Sequence, residues 1–172
     1  MVHYKAKPIS RKELSSLARD LRKMLGFENR MYFPILHFIE LLPKLDKNFD
    51  LEIVGISELP EGTEALTYPD ESKMLIREDV YLDAEAGRGR ARFTLAHEML
   101  HYLFHSEQNI SFARSKMDVP KYMDPEWQAD EFAAELLAPG YLIKDMSVEE
   151  VSNKFGISYQ CASIQLRKHK KN

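Results

Sequence analysis

The segment Phe93-Thr-Leu-Ala-His-Glu-Met-Leu-His-Tyr-Leu-Phe104 is apolar nearly all round a helical wheel, yet it contains two histidines and a glutamate. A helix without a polar face has to be buried. Polar side chains on a buried helix need partners, because leaving them without any costs several kcal/mol. The rest of the chain must therefore wrap this helix and satisfy His97, Glu98 and His101. The spacing suggests how. His97-Glu98-Met99-Leu100-His101 fits the pattern H-E-x-x-H. Residues four apart share a helix face, with roughly 5–6 Å between Cβ atoms. Two imidazoles so placed reach one cation with Zn–N bonds of about 2.0–2.1 Å. Glu98 is turned about 100° from His97, so it lies beside the cation, as a general base rather than a ligand. The pattern also arises by chance, and the buried surroundings are what favour the metal reading.

A catalytic zinc takes three protein ligands and keeps one position open. The best third candidate is Glu126, in the first turn of a helix opened by Asp124 as N-cap and Pro125 as first residue. Ala129, Ala133 and Ala134 are small enough to let this helix approach the first closely. Asp130, one turn after Glu126, is placed to accept the remaining ring N–H of a ligand histidine. The competing reading is a solvated acidic face, with Glu126, Asp130, Glu131 and Glu135 all exposed. Tyr102, His105 and Tyr122 are candidates for stabilising a developing oxyanion or lining the cleft. His105 continues the His97–His101 stripe and is expected at the cleft rim, or else as a partly exposed histidine at a helix end. Tyr102 reads equally as a core residue.

Elsewhere the chain mixes helices with short strands. Ser10-Arg-Lys-Glu13 is a capping box, and Leu14, Leu17, Leu21 and Leu25 follow at helical spacing until Gly26. A second helix is expected over 34–42, closed by Pro43. Residues 51–56, 65–68, 74–76 and 80–82 read as strands of a small antiparallel or mixed sheet. The stretch 74–81 would offer an edge for an extended peptide. The H-E-x-x-H helix spans about 90–105. Residues 106–123 show no period and read as a loop with a short turn. Pro139-Gly140 ends the helix begun at Pro125. Ser147-Val-Glu-Glu150 is another capping box, opening a helix to about Phe155. A turn at 156–158 and a last helix complete a helix–turn–helix rhythm, ending in Arg167, Lys168, Lys170 and Lys171.

At 172 residues the chain suits one domain or one with a small appendage. The division expected is 1–140 as the main domain and 141–172 as a helical pair packed on it. The formal net charge of −3 excludes polyanion binding over the whole surface. Cys161 is the only cysteine, so no internal disulfide forms, which points to a reducing compartment. No secretory leader is visible, and no window approaches the roughly 18 apolar residues of a membrane span. A cytoplasmic protein is expected.

The two blocks Phe93 to His101 and Glu126 to Pro139 together resemble the ImmA/IrrE family of metallopeptidases. Met99-Leu100 departs from the smaller pair, ending in glycine, that members often carry, a difference of packing more than of chemistry. The resemblance implies an α+β fold: a mostly helical, zincin-like (gluzincin) domain with a small sheet and a helix–turn–helix-like tail. It implies one Zn2+ per chain on His97, His101 and Glu126, with Glu98 as base; manganese or iron also suit such donors. It further implies an endopeptidase acting on a regulatory protein, a helix–turn–helix (Xre-type) repressor. Two alternatives stand beside it. One is a non-catalytic partner-binding protein of a toxin–antitoxin or phage regulatory pair, and the other is a DNA-binding regulator using the tail. Glu149 and Glu150 in the first tail helix are a poor approach to phosphates, so the tail is read as packing on the core.

Overall fold

The computed structural model describes residues 3–113 and 119–170. Its architecture is α+β, mostly helical with small sheets. The capping box forms: Ser10 accepts from the backbone of Glu13, whose carboxylate returns to the Ser10 N–H, and α1 (Arg11–Met24) follows. Leu14 and Ala18 of α1 are buried. So is Arg22, which donates to the carbonyls of Leu136 (2.6 Å) and Arg30. A second helix, α2 (Ile35–Leu45), runs past Pro43 rather than stopping there. Proline forfeits one backbone bond and does not forbid a final turn when the helix ends two residues later.

A three-stranded mixed sheet comes next. Strand β2 (Asp50–Val54) pairs in parallel with β4 (Lys73–Arg77), and β3 (Ala65–Tyr68) pairs antiparallel with β4 on the other side. Because β4 is central, the stretch 74–81 cannot offer a free edge, contrary to the sequence expectation. Residues 80–82 are not a strand either. They lie in α3 (Glu78–Glu85), where Glu78 and Asp79 favour the helix N-terminus and Val80 and Ala84, four apart, are the buried pair. The β-propensity of Val-Tyr-Leu yields to that helical burial pattern.

Helix α4 (Gly89–Phe104) carries the H-E-x-x-H segment, with Leu95, Ala96, Met99 and Leu100 buried. It packs on α5 (Pro125–Leu137), α3, α2 and β3, while α5 packs on α1 with its other side. Ala129 and Ala133 are fully buried in α5, the close approach their size allows. Between these helices the chain forms β5 (Ile110–Ala113), antiparallel to β1 (His3–Ala6). Sequence reading missed this pair because four residues are too few for an alternating pattern to stand out. The short turn expected before α5 is a 3-10 turn at Lys121–Met123.

After α5 come α6 (Gly140–Ile143), α7 (Val148–Phe155) and α8 (Tyr159–His169). Gly156 ends α7 at φ 62, in the left-handed region that glycine adopts without strain, and its missing Cβ leaves room for Arg92. Arg92 is fully buried. It donates to Phe155 O (2.7 Å), Phe33 O (2.6 Å) and Gly156 O, and lies 3.9 Å over the Tyr32 ring. It thus ties α4 to the α7–α8 turn.

The tail's charges are largely engaged. Lys168 meets Glu131 (2.9 Å), which Arg11 also meets (3.0 Å). His169 (2.6 Å), Gln165 (3.1 Å) and Ser15 (3.1 Å) converge on Glu135. Glu131 and Glu135 are therefore buried rather than part of a solvated acidic face. Arg167 and Lys170 are exposed, and Lys171 lies outside the described residues. Burial pushes the Glu135 carboxyl up, but His169, Gln165 and Ser15 outweigh it and hold it below its ordinary 4.5. Glu135 in turn raises His169 above its ordinary 6.5. The pair's stabilisation is full between those ordinary values. It is lost as pH rises through the raised His169 value or falls through the lowered Glu135 value. Melting temperature measured against pH is expected to show that alkaline loss in wild type and not in His169→Gln. The same limb in both would remove the pair from the pH response.

Candidate metal centre

Helix periodicity sets His97, His101 and His105 on one stripe of α4, with successive ring centroids 4.8 and 4.7 Å apart. The first turn of α5 brings Glu126 to the outer end of that stripe. Asp124 caps α5 by accepting from the Glu126 N–H at 3.0 Å, which starts the helix at that point. Three potential ligand atoms converge there. His97 Nε2 and His101 Nε2 are 2.9 Å apart, and the two Glu126 oxygens lie 3.3 Å from His97 Nε2 and 3.4 Å from His101 Nε2. A tetrahedral centre with bonds of about 2.0–2.1 Å places its ligand atoms about 3.3 Å apart. The two histidine–glutamate edges lie near that spacing, each through a different carboxylate oxygen, and the histidine–histidine edge is shorter; two imidazoles with a carboxylate form a donor set suited to zinc. The three residues could hold a metal ion.

The surroundings orient these donors. Asp130, one turn along α5, has Oδ1 2.8 Å from His97 Nδ1, leaving Nε2 of that ring toward Glu126. Burial by itself would lower the His97 pKa, but Asp130 and Glu126 outweigh it and raise it to about 10. Burial and the neighbouring His97 charge push His101 down to about 3. The hydrogen bond from His97 leads the effects that hold Glu126 low.

Glu98 faces another way. Its carboxylate accepts from the Thr67 hydroxyl of β3 at 2.7 Å, and it is buried. Burial raises its pKa, with Thr67 pulling in the opposite direction. His97, Glu98 and Asp130 all line a cleft of about 360 Å3. A second cavity of about 660 Å3 continues from it past Phe93, Thr94 and Asp130 toward α8.

The remaining candidates fall elsewhere. His105 is buried, not at a rim. Its Nδ1 lies 2.8 Å from His101 Nδ1 and its Nε2 lies 2.9 Å from Gln128 Oε1. The Tyr102 hydroxyl donates to Asp46 (2.8 Å) and its ring meets Phe49 edge-on. Burial and Asp46 push its pKa up to about 12, and its proton is committed there. The Tyr122 side chain is exposed, while its backbone carbonyl accepts from Gln128 (2.8 Å) and from the Ile9 N–H (2.9 Å). Sequence reading missed Thr67 and Gln128, neither of which belongs to a motif. The one available signal for Gln128 was an amide on the face of α5 that the alanines bury.

A family model, the peptidase M78 or IrrE N-terminal-like domain, matches residues 47–167. That span takes in α4 and α5 whole. Among solved structures, the chain is similar to a Mycobacterium tuberculosis transcriptional regulator, with a TM-score of 0.59 and 15% identity. The likeness covers 88% of this chain and 45% of that one, so this chain spans less than half of the regulator's length. At such identity the likeness is one of fold. No curated protein matches.

Proposed function

The chain belongs to the peptidase M78 (IrrE N-terminal-like) family, and from that membership we propose that it is a zinc-dependent endopeptidase acting on a regulatory protein. The observation that carries the proposal is the triangle of His97 Nε2, His101 Nε2 and Glu126, with Glu98, held by Thr67, lining the same cleft as His97. Zinc in such a site supplies Lewis acidity, acidifying water and polarising a carbonyl. The chain's own residues do the rest. Asp130 holds His97 with Nε2 toward Glu126. Glu98 takes a proton from the attacking water and returns it to the leaving amine. The Thr67 hydroxyl donates to that carboxylate and orients it.

The fold reading that accompanies this is a zincin-like unit over 1–140, with the helix–turn–helix-like segment 141–172 packed on it. The engagement of Lys168 and His169 with Glu131 and Glu135 supports packing over DNA binding for that segment. Strand β3 lies beside Glu98, and among the described residues no strand pairs with its other edge. It is therefore the edge along which an extended substrate would lie, in place of 74–81. No described helix is long and apolar enough to cross a membrane. The structural neighbour is described as a transcriptional regulator. That supports a substrate in transcriptional control, for which a helix–turn–helix repressor is the proposal.

Metal analysis tests the centre. Purified wild type is expected to carry about one equivalent of zinc per chain, and His101→Ala close to none, since two remaining donors make a poor site. Incubation of wild type with a helix–turn–helix repressor, followed by mass spectrometry, is expected to show cleavage at a peptide bond. A wild-type chain that takes up no divalent metal overturns the proposal. So does one that silences the repressor and leaves it intact.

A further inference from the structure

The two histidines of the triangle are oriented by different devices. His97 rests on a carboxylate, Asp130. His101 rests on a second histidine, and the chain of contacts behind it ends on a buried amide. We propose that Gln128, acting through His105, is a positioning residue that fixes the tautomer of His101, placing its proton on Nδ1 and its lone pair on Nε2 toward Glu126 and His97. The inference rests on the metal-centre reading and deepens it.

Gln128 is fully buried in α5. One end of its amide lies 2.8 Å from Lys7 O and 2.8 Å from Tyr122 O. Carbonyl oxygens only accept, so the end facing them must be the NH2 group, whichever way the amide is drawn. The Tyr122 carbonyl and the Lys7 backbone are themselves anchored. The Lys7 N–H donates to Asn109 O and the Ile9 N–H to Tyr122 O, both at 2.9 Å. Gln128 Oε1 is thereby forced toward His105.

That oxygen also only accepts. His105 Nε2, 2.9 Å away, must carry a hydrogen. A neutral imidazole with its hydrogen on Nε2 has a lone pair on Nδ1. His105 Nδ1 lies 2.8 Å from His101 Nδ1, so the latter donates. His101 then holds its hydrogen on Nδ1, and its Nε2 is free to bind. The opposite direction fails at its first step. With its hydrogen on Nδ1, a neutral His105 would set an Nε2 lone pair against the Oε1 lone pairs in a site without water access. An amide at the end of this chain, rather than a carboxylate, gives direction without adding a negative charge behind His101.

The geometry has an observable signature. In protein labelled with 15N-histidine, long-range 1H–15N correlations distinguish Nδ1–H from Nε2–H rings. Wild type is expected to show His105 as Nε2–H and His101 as Nδ1–H, with and without zinc. Zinc affinity, read by competition with a chelator, is expected to weaken about 10–100-fold in Gln128→Leu and in His105→Phe. His105→Gln, which keeps an acceptor toward His101 and a donor toward Gln128, is expected to remain nearer wild type. A purely space-filling role would rank His105→Phe above or equal to His105→Gln, and would leave the tautomers unassigned by Gln128. Zinc-binding wild type with His105 protonated on Nδ1 overturns the inference and leaves the metal centre standing. So does unchanged affinity in folded His105→Phe and Gln128→Leu. A wild type that binds no zinc overturns the metal-centre reading itself.

Discussion

Glu98→Gln is expected to cut peptide hydrolysis by about 10²–10⁴-fold with zinc content unchanged. The substitution preserves shape, and its amide oxygen still accepts from the Thr67 hydroxyl that now contacts Oε2 at 2.7 Å. What it loses is a group that takes up and releases a proton. Burial raises the Glu98 pKa above the usual carboxylate range, closer to the value at which a base can both accept from water and donate to an amine near neutral pH. Rate measurements on a cleaved repressor peptide, with metal content and circular dichroism as controls, check this. Two properties make the variant informative. Glu98 is no part of the His97–His101–Glu126 triangle, so metal loss and loss of the base are separable. A non-catalytic binding protein, the rival reading, would bind its partner equally well with glutamine. Undiminished hydrolysis in a zinc-loaded Glu98→Gln would remove Glu98 from the chemistry.

Arg92→Met is expected to have the largest effect on stability, about 3–5 kcal/mol. The guanidinium satisfies three backbone carbonyls, of Phe33, Phe155 and Gly156, and is fully buried. Methionine fills much of the volume and offers no donor. Each carbonyl left without a partner in a dry site costs roughly 1–3 kcal/mol. A domain has only about 5–15 kcal/mol in total, so denaturant unfolding should shift markedly. Hydrogen exchange in α7 and α8 should rise before the rest, since Arg92 links them to α4. A midpoint change equivalent to less than about 1 kcal/mol would show that water or neighbouring groups replace the lost donors.

The two predictions draw on different kinds of information. The meeting of His97 and His101 was legible because helix geometry converts a spacing of four into a shared face. Glu126 and Asp130 were legible because Asp124-Pro125 announces where α5 begins, and hence which residues share a side. Arg92 was not legible, since nothing local distinguishes a buried arginine from a solvated one. Its role depends on where residues 33, 155 and 156 end up. Gln128 is the same case, with partners at Lys7, Tyr122 and His105. Residues 80–82 failed for another reason. Their β-branched and aromatic composition suited a strand, while the decisive fact was that Val80 and Ala84 meet the core together. His105 was placed on the correct stripe but at the wrong depth, because periodicity gives direction around a helix and says nothing of what covers its end. Met99 and Leu100 are both buried.

The paired charges between α5 and α8 bear on modularity. Glu126 and Asp130 face the candidate metal centre from one side of α5, and Glu131 and Glu135, on the same thirteen-residue helix, are met by side chains of two other helices: Arg11 and Ser15 from α1, Lys168 and His169 from α8. The helix that would hold the metal is thus clasped by both. A chain shortened past α8 would leave the buried Glu135 without His169, and one shortened past α1 would leave Glu131 with Lys168 alone. Exchanging α8 as a separate cassette would therefore call for a change at Glu135, on the same helix that carries Glu126 and Asp130.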